Sequence, residues 1–241
     1  MTRGIYAGAA GMYAQQQKLD VIANNLANVN STGFKADRLT FREALAKEVF
    51  STGDSKPRPL GTLGCGAIVE EAVSPQEQGP MVQTGGPLDV AFDGDGYFSV
   101  KADAGTRYTR AGSFNLDVTG KLVTKNGDPV LGSRGEITVP TNATVAIDDK
   151  GDVTADGSVV DTLAIVTGNL TKEGNSLYSG KATPATNVKL TSGYIEGSNV
   201  NAVQEMVAMI ETMRVFEANQ KVLQAHDETL SKTVNDLARM S

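Results

Sequence analysis

The chain has 241 residues, long enough to bury a sizeable core in one or two domains. Its formal net charge of −6 gives no general basic footprint for a nucleic-acid backbone. Cys65 is the only cysteine, His226 the only histidine, and tryptophan is absent, which excludes a disulfide framework, a cysteine-based zinc site and most nucleophile–base constellations.

The first stretch, MTRGIYAGAAGMYAQQQKLD, has no continuous apolar run of signal-peptide length. No later window approaches the roughly 18 apolar residues of a membrane span. The expectation is a cytosolic chain or one exported without a cleaved signal. Ile5, Met12, Leu19 and Leu26 recur every seven residues, with Gly8, Gln15, Ile22 and Val29 as a second seam. This spacing predicts an N-terminal helix. Gly4, Gly8 and Gly11 fall on one face of it, where small residues let another helix come close.

The helix runs into Ala23–Lys35, ANNLANVNSTGFK, with four asparagines in seven residues. Asparagine is a mediocre helix former because its side chain competes with the backbone for hydrogen bonds. On a helix Asn24 and Asn28 share a face, and uncharged amides there suit packing against a neighbouring chain, since they cost less to bury than charges. Gly33 suits a left-handed helix cap.

A short amphipathic helix is expected over Phe41–Phe50, followed by a Gly/Pro/Ser linker from Ser51 to Gly66. From there to Ser192, short β-rich runs (LDVAF, GYFSV, SFNLDV, KLVTK, ATVAIDD, TLAIVTG) alternate with turn residues. Asp93-Gly94-Asp95-Gly96 reads as a hairpin turn; it lacks the bidentate Glu of a calcium loop. Asn126-Gly127 and Asp156-Gly157 predict tight hairpins with positive φ at both central residues. Asp117–Gly120 and Asp148–Gly151 precede them as a weak internal echo.

The C-terminal segment predicts a helix from Ala202 to Ala238, capped by Ser198 or Asn201 and roughly 55 Å long. Gln204 and Glu205 after Asn201 suggest a capping box. Met209, Phe216, Leu223, Leu230 and Leu237 recur every seven; Met206, Met213, Gln220, Asp227 and Val234 form the second seam. Fully buried, the eight apolar side chains on these seams represent about 12–24 kcal/mol at most. The N-terminal helix is too short to cover them all, which points to association. The predicted fold class is therefore α+β, with N- and C-terminal helices pairing as a coiled-coil-like stem around an inserted all-β domain. The expected segments are 1–35, an N-terminal axial helix; 36–65, a short helix and linker; 66–195, the β-domain; and 196–241, a C-terminal axial helix. Neither a catalytic residue, a metal site nor a cofactor is expected, and His226 reads as a surface or seam residue.

Four ordered motifs carry a resemblance. ANNLANVNSTGFK resembles the N-terminal signature of the bacterial flagellar axial proteins of the rod, hook and hook–filament junction. Leu88–Phe98 (LDVAFDGDGYF) and Tyr108–Phe114 (YTRAGSF) resemble their central motif. Gly193–Asn201 (GYIEGSNVN), with Glu205-Met-Val and Arg214–Lys221 (RVFEANQK), resembles their C-terminal signature. The resemblance implies a non-enzymatic, structural subunit of the flagellar basal-body rod. Gly135–Pro140 with Val145–Asp148, together with Glu196–Val203, favour the proximal rod; the distal rod is the alternative, since Val21–Asn25 suits it equally. It implies export through the flagellar type III apparatus and a place in the periplasm-spanning rod. Other copies of the chain and other rod or hook proteins are the implied partners, with no nucleic acid and no small-molecule substrate. Ile5, Met12, Leu19, Ile22, Asn24, Leu26, Asn28, Met206, Met209, Met213, Phe216, Leu223, Leu230 and Leu237 are the expected subunit-interface residues. A secreted β-rich binding module is the rival reading, but its aromatics would cluster, whereas the 13 Tyr and Phe here are dispersed.

Overall fold

Two helices frame a chain otherwise built of short antiparallel strands in the computed structural model, which describes residues 2–43, 47–50, 59–63, 67–140, 143–174, 176–185 and 188–240. Helix α1 spans Thr2–Ala27 and helix α2 spans Ala202–Met240. The residues divide into two units. One comprises 1–27, 37–73 and 201–241; the other comprises 28–36 and 74–200.

In the helical unit α1 and α2 run antiparallel. A Cβ added at Gly4 would lie 3.7 Å from His226, at Gly8 3.3 Å from Leu223 and at Gly11 3.6 Å from Asn219. The small-residue face of α1 is thus the face against which α2 rests. Asn201 caps α2, its Oδ1 accepting the backbone N–H groups of Val203 (3.1 Å) and Gln204 (3.3 Å). Ser198 instead serves Val200. At 39 residues, α2 is about 58 Å long.

The short helix expected over 41–50 is not there. Residues Arg38–Glu43 and Lys47–Phe50 are strands, paired antiparallel with Ala67–Val73 and Pro59–Leu63 respectively. Leu39 and Phe41 alternate with Arg38, Thr40 and Arg42, and the β-branched run AIVEEAV across the ladder supplies the partner that local helical periodicity lacks. The linker expected over 51–66 falls mostly outside the described residues, as does Cys65; its described part, Pro59–Leu63, is strand.

The second unit is the β-unit. Its largest sheet has six strands in the order Leu170–Gly174, Leu177–Gly180, Gly105–Thr109, Tyr97–Ala102, Ile165–Thr167 and Thr183–Pro184. Its core gathers Val90, Phe92, Phe98, Val100, Phe114, Leu122, Val130 and Ile137 among others, with Phe98 edge-on to Phe114. Turn chemistry sets the registers. Asp156 (φ 48°) and Gly157 (φ 80°) form the tight turn expected of them. At Asn126-Gly127 only Gly127 has positive φ, so that turn is built differently. The echo is real in geometry: Gly120 N–H donates to Asp117 O and Gly151 N–H to Asp148 O, at 2.9 Å each.

Residues 93–96 do not make a hairpin. Strand Val90–Asp93 pairs with Lys189–Ser192, whereas Tyr97–Ala102 pairs with Gly105–Thr109 and Ile165–Thr167. The two flanking strands therefore part company at this turn.

Candidate assembly interface and its anchoring cluster

The outward faces of the helical pair follow from the inward ones. On α1, Ala14, Ile22 and Asn25 are buried, while Tyr6, Tyr13, Asp20 and Asn24 recur at intervals of seven, seven and four on an exposed face. Tyr6 is 74% exposed and Tyr13 63%. On α2, Thr212 is buried and Val203, Met206, Val207, Ile210 and Met213 lie exposed at helical spacing. These five side chains are 45% to 65% exposed. They form an apolar face over the first three turns of α2, larger than scattered surface residues account for.

The expected interface residues divide accordingly. Ile5, Met12, Leu19 and Leu26 are half-buried along α1, and Ile22 is buried. Met209, Phe216, Leu223 and Leu230 are half-buried, and Leu223 meets Gly8 of the chain's own α1. Met206 and Met213 turn outward. The side chain of Leu237 lies outside what the structure describes. Val203, Val207 and Ile210 were not expected, because the heptad count follows Met206 and Met213 and passes over the positions between them.

Asn24 and Asn28 do not share a helix face, since α1 stops at Ala27. Asn28 accepts Ser31 Oγ on its side chain and Ser31 N–H on its carbonyl, both at 3.1 Å, closing a turn where the helix would have continued. It lines a polar cavity of about 300 Å³ with Ser31, Thr32, Ser113, Asn126 and Asp128. The asparagine that holds structure is Asn25. Its Oδ1 accepts Asp37 N–H and its Nδ2 donates to Asp37 O, both at 2.9 Å, and Nδ2 also reaches Glu205 Oε1 at 3.5 Å. Glu205 thus receives Asn25, and the N3 position of a capping box on Asn201 falls to Gln204.

Gly33 has positive φ (66°) as expected, though not as a helix cap. A Cβ there would come within 2.6 Å of the Arg110 and Ala111 backbone, while its N–H donates to Glu196 O at 2.8 Å. Glycine is needed for the close approach.

Beside it sits a buried charge cluster that sequence reasoning did not single out. Glu196 Oε1 accepts Lys35 Nζ at 2.5 Å and Gly79 N–H at 2.9 Å; Oε2 accepts Arg110 Nε at 2.7 Å. All three charged side chains are 4% exposed or less. Arg110 also donates to the carbonyls of Gly96 (2.7 Å) and Gly94, and its guanidinium lies over the Phe92 ring. That is what the Asp93–Gly96 turn is for: it offers carbonyls to a buried guanidinium. Burial pushes the Lys35 ammonium below the usual lysine range despite Glu196. Burial works to raise the Glu196 carboxyl too, but hydrogen bonds from Lys35 and Arg110 outweigh it and hold the group below the usual carboxylate range. Each of the four motifs quoted above contributes to this place: Lys35, Gly94 and Gly96, Arg110, and Glu196.

Among the described residues no group of three or more His, Cys, Asp or Glu could hold a metal ion, and no helix is long and apolar enough to cross a membrane.

Three sequence families match this chain: flagella basal body rod protein over residues 5–35, flagellar hook protein FlgE/F/G D1 domain over 91–155, and flagellar basal body rod FlgEFG protein C-terminal over 191–237. The chain is 37% identical over 261 aligned residues to the flagellar basal-body rod protein FlgG of Bacillus subtilis, covering 98% of this chain and 99% of the relative. It is 32% identical over 252 residues to the flagellar basal-body rod protein FlgF of Caulobacter vibrioides, covering the whole of both. To FlgG of Agrobacterium fabrum it is 35% identical over 95% of its length.

Proposed function

The chain belongs to the flagellar basal-body rod protein family and is a structural subunit of the rod, and we propose that it polymerises through the outward faces of its terminal helices. The observation that carries this is the exposed apolar face of Val203, Met206, Val207, Ile210 and Met213. Completing the burial of five half-exposed side chains is worth roughly 4–8 kcal/mol, enough to matter in a contact repeated at every subunit. Identical chains joined by heterologous, non-closing contacts make a helical assembly. The neighbours are other copies of this chain and other rod or hook subunits. Torque then passes through packed surfaces, with no chemistry at any of them. A coiled-coil-like stem is the form this pairing takes in the assembly, and export through the flagellar type III apparatus brings the chain there.

The position along the rod has two readings. Gly135–Pro140 and Glu196–Val203 favour the proximal rod, and the end-to-end match to FlgF agrees. The higher identity to FlgG favours the distal rod. Labelling the chain in purified basal bodies separates them by position.

Replacing Met206 and Ile210 with Asp tests the assembly surface. Both are exposed, so the helix pair is expected to fold with unchanged helical circular dichroism. Cells carrying only this variant are expected to make no complete rod and not to swim. Normal swimming would refute the proposed surface.

A further inference from the structure

The chain passes between its two units at residues 27/28, 36/37, 73/74 and 200/201. In the β-unit these crossings lead into three segments, 28–36, 74–80 and 196–200, and the bonds among them converge. Gly33 N–H donates to Glu196 O, Lys35 Nζ to Glu77 O (2.6 Å), and Gly197 N–H to Pro80 O (2.8 Å). Ala36 N–H donates to Asn199 Oδ1 at 2.7 Å, and Asn199 Nδ2 to Glu77 O at 3.2 Å. The Glu196 carboxylate joins all of them, taking Lys35 from the first segment, Gly79 from the second and Arg110 from the β-core.

We infer that Glu196 is an ionic lock that holds these three segments together on the β-unit, and that opening it frees residues 29–36 while the β-core stays folded. The segment's other ties to the β-unit are single hydrogen bonds, among them Gly33 N–H to Glu196 O, Ala36 N–H to Asn199 Oδ1, Lys172 Nζ to Lys35 O (2.8 Å) and Thr32 Oγ1 with Ser113 Oγ (3.3 Å). Its buried apolar side chains are Phe34 and Ala36, and neither belongs to the core cluster, whose members run from Val90 to Leu190. The Phe34 ring is covered by the Lys172 ammonium at 3.9 Å, not by the core. The core, by contrast, closes without Glu196, through Phe92, Phe98 and Phe114. Arg110 ties the lock to that core, because its other bonds go to Gly94 and Gly96.

Every partner of the Glu196 carboxylate is a donor, so an amide in its place must turn its own NH2 against one of them. Amide hydrogen exchange on the full chain reads the consequence. In Glu196→Gln, and independently in Lys35→Met, amides of residues 29–36 and 77–79 are expected to exchange about a hundredfold faster. Amides in strands Tyr97–Ala102 and Leu122–Thr124 are expected to keep parental rates. If Glu196→Gln does not fold, Lys35→Met decides alone. Parental protection of 29–36 in Lys35→Met overturns the inference. So does equal loss of protection in 29–36 and the core strands, or collapse of the core in that variant, since Glu196 would then support the whole unit and not a lock.

Discussion

Glu196 is ringed by donors: an ammonium, a guanidinium and a backbone N–H. Removing one partner of a buried ion pair costs roughly 3–5 kcal/mol, because the charge left behind has no water to turn to. The cluster also sets a pH dependence. The Glu196 carboxyl binds its proton more weakly in the folded chain than in the unfolded one. Its contribution is therefore complete above the ordinary carboxylate pKa and is lost as pH falls through the lower folded value. Protection factors of the residue 29–36 amides are expected to hold level at neutral pH and weaken from about pH 5 downward. Glu196→Gln is expected to show the weaker protection of residues 29–36 already at pH 7 and to lose the part of that slope which Glu196 supplies. An unchanged slope would contradict the assignment. Little of this was legible in sequence. Lys35, Arg110 and Glu196 lie 75 and 86 residues apart along the chain, and each alone reads as an ordinary surface charge. The asparagines misled for a related reason: Asn24 and Asn28 share a face only if the helix continues past Ala27, and the Asn28–Ser31 turn stops it.

The two helices were the elements most legible in sequence, since a seven-residue apolar recurrence survives any tertiary context long enough to display it. The Asn201 cap was legible as well, being local chemistry. Residues 38–50 were not, because their strands are set by a partner lying across the ladder, at Pro59–Leu63 and Ala67–Val73. The DGDG turn showed its glycines but not the Arg110 guanidinium that donates to their carbonyls. At this scale the α1–α2 contact makes a prediction. With only 3.3 Å between a Gly8 Cβ and Leu223 Cδ2, Gly8→Leu forces the helices apart. The expected cost is about 1–3 kcal/mol, seen as earlier loss of helical circular dichroism on heating. Tyr6→Ala, on the opposite exposed face, is expected to melt like the parent. Equal melting of Gly8→Leu and parent would contradict the close packing.

Across the whole molecule, Leu223 of the heptad seam meets Gly8 of α1 in the same chain, while the apolar face beginning at Val203 remains exposed. A rod subunit must keep such a face uncovered until a neighbour arrives. The family relation fixes what is built; the proposal places the next subunit on this face. A photo-crosslinking residue placed at Ile210 tests this most directly, in cells that build functional rods. The account predicts covalent products between this chain and a neighbouring axial subunit, recovered from purified basal bodies. Incorporation of the chain into those same basal bodies with residue 210 crosslinked only within its own subunit would contradict it.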